Sequence, residues 1–255
     1  EHLLQFRGLR VAPENILIGA GTDFLYNLLI QLLGREKTYA VEDPGYHKIR
    51  KIYAAGGVKC VSAPLDESGV IPGALGDAQV LHCSPSHHFP TGIVTPAPRR
   101  RELLRWAESQ PGRYIIEDDY DSEFRYLSRP IPAMQSLDDG DKVIYVGTFS
   151  RSIAPSIRVA YLVLPRRLLP VYEQRLGFAA STVSRFEQQT LAAFLDRGLY
   201  ARHLRRAANL YRKKQQLLLE ELAKIPGTRV SGAQAGLHFL LTVPGKTEEW
   251  LTERA

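Results

Sequence analysis

Five consecutive polar residues, Glu117 to Asp121, follow a short apolar run at Tyr114 to Ile116. Such a run predicts a buried strand, so the acids stand at its exit. Carboxylates there can bind a metal ion, act as a general base, or serve as the counter-ion of a protonated ring nitrogen. Polar residues at a strand exit are also common without any function. The segment alone leaves these alternatives open.

Two further segments combine residue types that bind anions. Gly19 to Thr22 joins a predicted strand to a predicted helix, where glycines let a ligand approach the backbone and the helix start offers unpaired amides. Gly147 to Arg158 follows another predicted strand and contains hydroxyl side chains with Arg151 and Arg158. Both compositions are typical of a phosphate or carboxylate site.

A Pro-containing loop, Ser84 to Gly92, follows the predicted strand Val80 to Cys83 and carries His87 and His88. Paired histidines are frequent metal ligands. Because no third soft ligand lies near them in the sequence, we predict no metal site.

Composition restricts the kind of protein that can carry these segments. The chain has 255 residues, of which 44% are hydrophobic and 24% charged, and this is typical of a globular protein with a substantial core. No apolar run approaches the roughly 20 residues that span a bilayer, so no membrane partner is expected. The net charge of +6 is spread among acids, which favours a mixed solvated surface over a nucleic-acid patch. Cys60 and Cys83 have no disulfide or metal spacing and predict reduced core thiols in a cytoplasmic protein.

Short β-rich runs alternate with amphipathic helices along the first two thirds of the chain. The predicted strands are 16–18, 38–41, 58–63, 80–83, 114–117, 143–146 and 159–164. Helices are predicted through Leu25 to Leu32 and at 46–55 and 99–108, then at 168–176, 186–197 and 200–224, with strands 229–231 and 237–243 and a helix from about Thr247. This alternation predicts an α/β fold with a mainly parallel sheet covered on both faces. Ligands of such sheets gather at the carboxyl ends of the strands.

Four motifs in this order carry a family resemblance. They are Asp43-Pro44-Gly45-Tyr46, Ser84-Pro85-Ser86-His87-His88-Phe89-Pro90-Thr91-Gly92, the run from Glu117-Asp118-Asp119-Tyr120-Asp121 to Tyr126, and Gly147-Thr148-Phe149-Ser150 with Pro155-Ser156-Ile157-Arg158. The set resembles the C-terminal domain of MocR-type regulators in the GntR superfamily. Those proteins fuse a winged-helix DNA-binding domain to an aminotransferase-like domain that binds pyridoxal 5'-phosphate.

The resemblance implies a three-layer αβα, fold-type I aminotransferase-like large domain and a partial small α+β C-terminal domain. The implied division is a cofactor-binding domain at 1–165, interdomain helices at 166–198 and a small domain at 199–255. We expect the chain to be a piece of a longer polypeptide, because it starts at Glu1 without an initiator Met and stops inside an apparent helix.

Specific roles follow from the resemblance position by position. Asp118 would pair with the protonated pyridine nitrogen, Tyr120 would hydrogen-bond the ring hydroxyl oxygen, and Tyr46 would stack on the ring. The phosphate would be held by a further set: Gly21, Thr22, Thr148, Ser150 and Arg158. Carboxylate against pyridinium keeps the ring an electron sink, and a flat phenol covers its face.

Arg151 departs from the family pattern, which places the Schiff-base lysine there. A guanidinium stays protonated and has no free lone pair with which to attack an aldehyde, so no catalytic residue is assigned. Arg151 could still hydrogen-bond a phosphate or carboxylate, and we count it among the residues predicted to bind the cofactor. The arginine is natural, with the cofactor lost or bound without a covalent link, or it is engineered, or a lysine from elsewhere substitutes. Lys142 and Lys48 lie outside the motif position, and Lys48 could instead meet an effector carboxylate.

Three functions compete at this point. The favoured one is an effector-sensing domain of a bacterial transcription regulator that binds pyridoxal phosphate or an amino-compound adduct without turnover. Its partners would be a small amine, amino acid or vitamer, a second copy in a homodimer, and DNA through an upstream winged-helix domain. The alternatives are an inactive variant of a class I/II pyridoxal-phosphate-dependent aminotransferase and a dimerising scaffold without cofactor.

Overall fold

The computed structural model describes residues 2–125 and 132–254, and Tyr126 of the acidic motif lies outside them. The eight helices in these ranges are α1 His2–Arg7, α2 Thr22–Leu33, α3 His47–Ala55, α4 Ala97–Glu108, α5 Leu169–Leu176, α6 Arg185–Asp196, α7 Leu199–Leu222 and α8 Glu248–Thr252. The ten strands are β1 Ile16–Gly19, β2 Thr38–Asp43, β3 Lys59–Asp66, β4 Gly69–Val70, β5 Val80–Cys83, β6 Tyr114–Asp119, β7 Val143–Thr148, β8 Ala160–Val163, β9 Arg229–Ser231 and β10 Leu240–Thr242.

Eight strands form one mixed sheet in the order β1-β8-β7-β6-β5-β2-β3-β4. The central strands β3, β2, β5, β6 and β7 run parallel, while β8 is antiparallel to both β7 and β1. Because two reversals cancel, β1 runs in the same direction as β7. The carboxyl ends of β1, β2, β5, β6 and β7 therefore meet at one edge, as the sequence predicts for a mainly parallel sheet.

Helices cover both faces of this sheet, which confirms the predicted αβα layering. One face buries Leu25 and Leu29 of α2 together with Ile49 and Tyr53 of α3. The opposite face buries Leu103 and its neighbours on α4 against β5 and β6. A third apolar cluster packs the first residues of the chain and α7 near β7 and β8. Buried central strands explain why their sequences are continuous apolar runs.

The ends of α2 and α6 show how local sequence sets the boundaries of helices. Gly21 precedes α2 with a φ of 88°, a conformation that favours glycine, and so turns the chain directly from β1 into the helix. Ser184 caps α6 through a reciprocal capping box with Glu187. In the described residues β9 and β10 form a separate two-stranded antiparallel sheet, and β10 is shorter than the predicted 237–243.

Candidate functional site

A cleft of about 230 Å³ lies at the edge where the parallel strands end. Eight of the nine residues predicted to bind a cofactor line it: Thr22, Tyr46, Asp118, Tyr120, Thr148, Ser150, Arg151 and Arg158. The ninth, Gly21, lies behind the cleft wall, where an added Cβ would overlap the Arg158 guanidinium. The fold thus gathers segments that are more than a hundred residues apart in sequence.

The alternation of side chains along β6 selects which acids face the cleft. Successive side chains of a strand point to opposite faces, so Asp118 lies toward the cleft and its neighbours lie away from it. Glu117 accepts hydrogen bonds from the amides of Met134 and Gln135, both at 2.8 Å. Asp119 accepts one from the Tyr145 hydroxyl at 2.5 Å and pairs with Arg7. These two carboxylates are structural, and of the acidic run only Asp118 and Tyr120 line the cleft.

Asp118 is held by a chain of hydrogen bonds from two helices and a strand. The Tyr26 hydroxyl donates to its Oδ2 at 2.6 Å, and Nε2 of His82 lies 3.4 Å from the same oxygen. Burial raises the pKa of Tyr53 well above its usual value, so Tyr53 stays a phenol. Its hydroxyl oxygen lies 2.6 Å from Nδ1 of His82, so the imidazole bridges Tyr53 and Asp118.

The second oxygen of Asp118 fits a cationic ring nitrogen. Oδ1 is buried and has no hydrogen-bond partner among the described residues. An unpaired buried carboxylate oxygen costs free energy, which a donor in the cleft would recover. A protonated pyridine nitrogen is such a donor. The residues present therefore fit the aromatic part of pyridoxal phosphate.

The anion-binding end of the cleft is formed by the start of α2 and by the segment after β7. Arg158 is half exposed, and its guanidinium lies 4.0 Å from the carboxylate of Asp23. Thr22 begins α2, whose first amides have no partners within the helix and attract a negative group. Ser150 donates its hydroxyl to the Ile157 carbonyl at 2.8 Å, so it must turn to donate to a ligand. This end suits a phosphate.

Arg151 and Lys48 are the other cations of the cleft. Arg151 is exposed, and Lys48 pairs with Asp23 through Nζ. Lys48 is the one lysine among the described residues that line the cleft. Lys142 lies elsewhere, where its Nζ donates to the backbone carbonyls of Gln110 and Pro111 at 3.0 and 2.9 Å. Lys142 therefore stabilises the fold and lies outside the cleft.

The open side of the cleft is aromatic. Tyr46 and Phe89 pack edge to face with ring centroids 5.8 Å apart, and both are partly exposed. An exposed phenol at the cleft mouth offers a face on which a flat ring can stack.

The sequence-based predictions missed four polar residues that line the cleft, Asp23, Tyr26, Glu42 and His82. Tyr26 lies one turn after Thr22 on α2, so helical spacing from a predicted site residue would have found it. Glu42 and His82 lie inside strands that read as core. Burial raises the pKa of Glu42 to about 8, an effect that the neighbouring Asp118 reinforces and the Ser84 amide opposes.

A mainly parallel sheet with helices on both faces, whose strand ends gather a buried aspartate, aromatic rings and cationic side chains, defines a fold-type I aminotransferase-like protein. The chain belongs to the aminotransferase class I and II family, whose model matches residues 1–254. The architecture is similar to that of an α-aminoadipate aminotransferase, LysN, from Thermus thermophilus, solved with N-(5'-phosphopyridoxyl)-L-leucine. That similarity has a TM-score of 0.82 and 26% identity and covers 99% of this chain and 67% of LysN.

Curated relatives include regulators with a helix-turn-helix (HTH), which confirms the predicted resemblance. The chain is 39% identical over 247 residues to YdeL, an HTH-type transcriptional regulator of Bacillus subtilis, covering 95% of the chain and 53% of the relative. It is 36% identical over 242 residues to PdxR, the HTH-type pyridoxine biosynthesis transcriptional regulator of Corynebacterium glutamicum, covering 94% and 53%. The chain spans about half the length of these relatives.

Every helix in residues 2–125 and 132–254 is too short or too polar to traverse a bilayer.

Proposed function

We propose that this chain is the effector-sensing domain of a bacterial MocR-type transcription regulator and binds pyridoxal 5'-phosphate, or its adduct with an amino compound, without a covalent bond. The observation that carries the proposal is the unpaired Oδ1 of Asp118 in a cleft that also contains an anion-binding end. The HTH-type relatives support the regulatory assignment.

Different residues of the cleft would bind different parts of the ligand. Asp118 would hold the proton on the ring nitrogen, Tyr120 would donate to the ring hydroxyl oxygen, and Tyr46 would cover the ring. Burial, with the nearby Asp121 and Asp118, raises the pKa of Tyr120 far above its usual value, so its hydroxyl remains a donor. Thr22, Thr148, Ser150 and Arg158 would hold the phosphate. When bound, the vitamer supplies an aldehyde and an electron-accepting ring.

Arg151 is the reason that turnover is not proposed. A covalent link to the vitamer needs a deprotonated amine, and a guanidinium with a pKa above roughly 12 supplies none. Arg151 would instead attract a carboxylate or phosphate in the cleft. The same fold and family also suit the alternative, a class I/II aminotransferase represented by an inactive variant, because LysN shares 26% identity with the chain.

The proposed organisation extends the assignment to the whole polypeptide. Residues 1–165 would form the large domain, 166–198 the interdomain helices and 199–255 part of the small domain. A winged-helix DNA reader would precede this segment, and the assembly would be a cytoplasmic homodimer. Ligand binding would change domain closure and so the geometry of the dimer.

Titration with pyridoxal phosphate, followed by calorimetry and absorbance, tests the proposal. The expected result is saturable binding with no borohydride-stable adduct and no amino-group transfer from glutamate. Absence of binding would favour the alternative function, a dimerising scaffold without cofactor. Sustained amino-group transfer from any donor would establish the aminotransferase instead.

A further inference from the structure

A second polar cluster lies outside the lining of the cleft and consists of His87, Asp121 and His238. His87 belongs to the loop after β5, Asp121 follows β6, and His238 lies between β9 and β10. Each offers one potential ligand atom, and these atoms all lie within 4.8 Å of one another. None of the three is among the described residues that line the cleft. The cluster is therefore a separate candidate site.

The nitrogen atoms of this cluster are buried and incompletely satisfied. Nε2 of His87 and Nε2 of His238 are both shielded from solvent and have no hydrogen-bond partner among the described residues. His87 and Asp121 are each only 2% exposed. Buried polar atoms without partners are rare in proteins, and a bound metal ion satisfies such nitrogen atoms.

Asp121 supplies the negative charge of the cluster. Its Oδ1 and Oδ2 lie 3.1 and 2.9 Å from Nδ1 of His87, and Oδ2 also accepts from the Leu237 amide at 3.2 Å. Neutral imidazole has the lone pair that a metal needs.

A glycine near His238 allows the backbone to lie directly against His87 and Asp121. Gly236 has a φ of 70°, and a Cβ there would overlap the His87 ring and the Asp121 carboxylate. The Gly236 amide donates to the Phe124 carbonyl at 2.6 Å, which fixes the segment against the end of the acidic motif. A glycine at this position lets His238 reach a loop that is distant in sequence.

We propose that His87, Asp121 and His238 form a site for a zinc-class divalent metal ion, with water as the fourth ligand. Two imidazoles and one carboxylate are a zinc donor set. Zinc bonds of about 2.0–2.2 Å separate tetrahedral donors by roughly 3.3–3.6 Å. Since the donor atoms lie within 4.8 Å of one another, none would have to approach another by much more than an ångström. The ion would fasten the segment before β10 to the ends of β5 and β6.

The position of the site couples it to the cleft. The Tyr120 hydroxyl, which faces the cleft, lies 3.5 Å from Nδ1 of His87. The amino-acid sequence predicts no metal here because no third soft ligand lies near His87 and His88 along the chain. The third residue comes instead from the other end of the chain.

Metal binding by the tag-free chain, stripped with a chelator, tests this site without any vitamer. Zinc would be titrated by calorimetry, and cobalt(II) would report ligand geometry through its visible absorption. We compare wild type with His238→Ala and Asp121→Asn, and with His47→Ala as the matched control, because His47 is exposed on α3. Circular dichroism without metal establishes that each variant is folded.

We expect wild type and His47→Ala to bind one equivalent of zinc and to give a tetrahedral cobalt spectrum. His238→Ala and Asp121→Asn should each weaken binding by about 10–100-fold or more. Equal zinc affinity in wild type and His238→Ala would overturn the proposal. So would a wild-type chain that binds cobalt only in the six-coordinate form of the hydrated ion, a result that does not depend on how any variant folds.

Discussion

The hydroxyl of Tyr26 on α2 donates a 2.6 Å hydrogen bond to Oδ2 of Asp118 at the end of β6. Burial and the adjacent carboxylate raise the pKa of Tyr26 well above its usual value, so this phenol remains a donor across the neutral range. The bond fixes one oxygen of Asp118 and leaves Oδ1 without a partner among the described residues. The helix that begins at Thr22 thus also orients Asp118, the carboxylate that we propose as the partner of the ring nitrogen.

Asp118→Asn should weaken pyridoxal phosphate binding about 10–100-fold, because it removes a charged hydrogen bond worth roughly 1.5–3 kcal/mol. Calorimetric titration measures the change. Asp77→Asn, at an exposed position, is the control and should bind as wild type does. Unchanged affinity of the Asp118→Asn chain would show that Asp118 does not bind the protonated ring nitrogen.

Arg151→Lys should restore covalent capture of the vitamer, because it places an amine that can lose its proton at the position of the arginine. We expect a new near-visible absorption band, and borohydride should lock one vitamer to one site, which peptide mass spectrometry would locate. Arg151→Gln is the control and should give no adduct. A borohydride-stable adduct at a single site of the wild-type chain would contradict the account of Arg151.

Arg158→Gln should reduce affinity for pyridoxal phosphate about 10–100-fold and leave the weaker binding of unphosphorylated pyridoxal nearly unchanged, since the guanidinium is proposed to contact only the phosphate. The ratio of the two dissociation constants is the readout. The exposed Arg101 on α4 supplies the matched control, Arg101→Gln. Equal losses of affinity for both ligands would mean that Arg158 stabilises the structure of the cleft and does not bind the phosphate.

Glu42→Gln should change how thermal stability depends on pH. The pKa of Glu42 in the folded chain is raised to about 8, so its contribution to stability is fully present below the ordinary glutamate pKa and is lost as pH rises toward 8. The melting temperature of Glu42→Gln relative to wild type should therefore increase between pH 5 and pH 8. Each kcal/mol by which the substitution raises the free energy of unfolding corresponds to an increase of roughly 2–4 °C in melting temperature.

The neighbouring His88 produces the opposite trend at lower pH. Its Nε2 lies 3.5 Å from Oε2 of Glu42, and burial lowers its pKa to about 4. A histidine with a lowered folded pKa costs stability as pH falls below about 6.5, and this cost remains in Glu42→Gln. Glu67→Gln, at an exposed position, is the control. Melting curves of Glu42→Gln that run parallel to wild type from pH 5 to pH 8 would show that Glu42 is not the group responsible.

The sequence predicted the repeating strand–helix pattern well because buried parallel strands and amphipathic helices have distinct periodicities. The strand Val80–Cys83 was predicted with its observed bounds. The helix His2–Arg7 and the two-residue strand Gly69–Val70 were missed, since neither is long enough to show a period. The reversed direction of β8 was also missed, because strand direction depends on how the chain returns to the sheet.

The predicted site residues converge because the motifs follow strands that end at one edge. Their roles toward a cofactor stay predictions. Tyr26 and His82 were not identified because a tyrosine inside a helix and a histidine inside a strand look like core residues. His238 was missed for a different reason: its partners lie far away in sequence, and only the tertiary fold places them together.

Side chains alternate along β6, so Asp118 and Tyr120 line the cleft while Glu117 and Asp119 lie on the other face of the sheet. Deleting one residue between Tyr114 and Asp118 while the strand keeps its pairing would exchange the two sets of side chains. Asp118 would then take the place of Glu117, against the amides of Met134 and Gln135. Asp119, which now pairs with Arg7, would enter the cleft, and Tyr120 would leave it. Insertions or deletions of an odd number of residues in this stretch should therefore weaken ligand binding even where every acidic side chain is retained, whereas changes of an even number leave each side chain on its present face of the sheet.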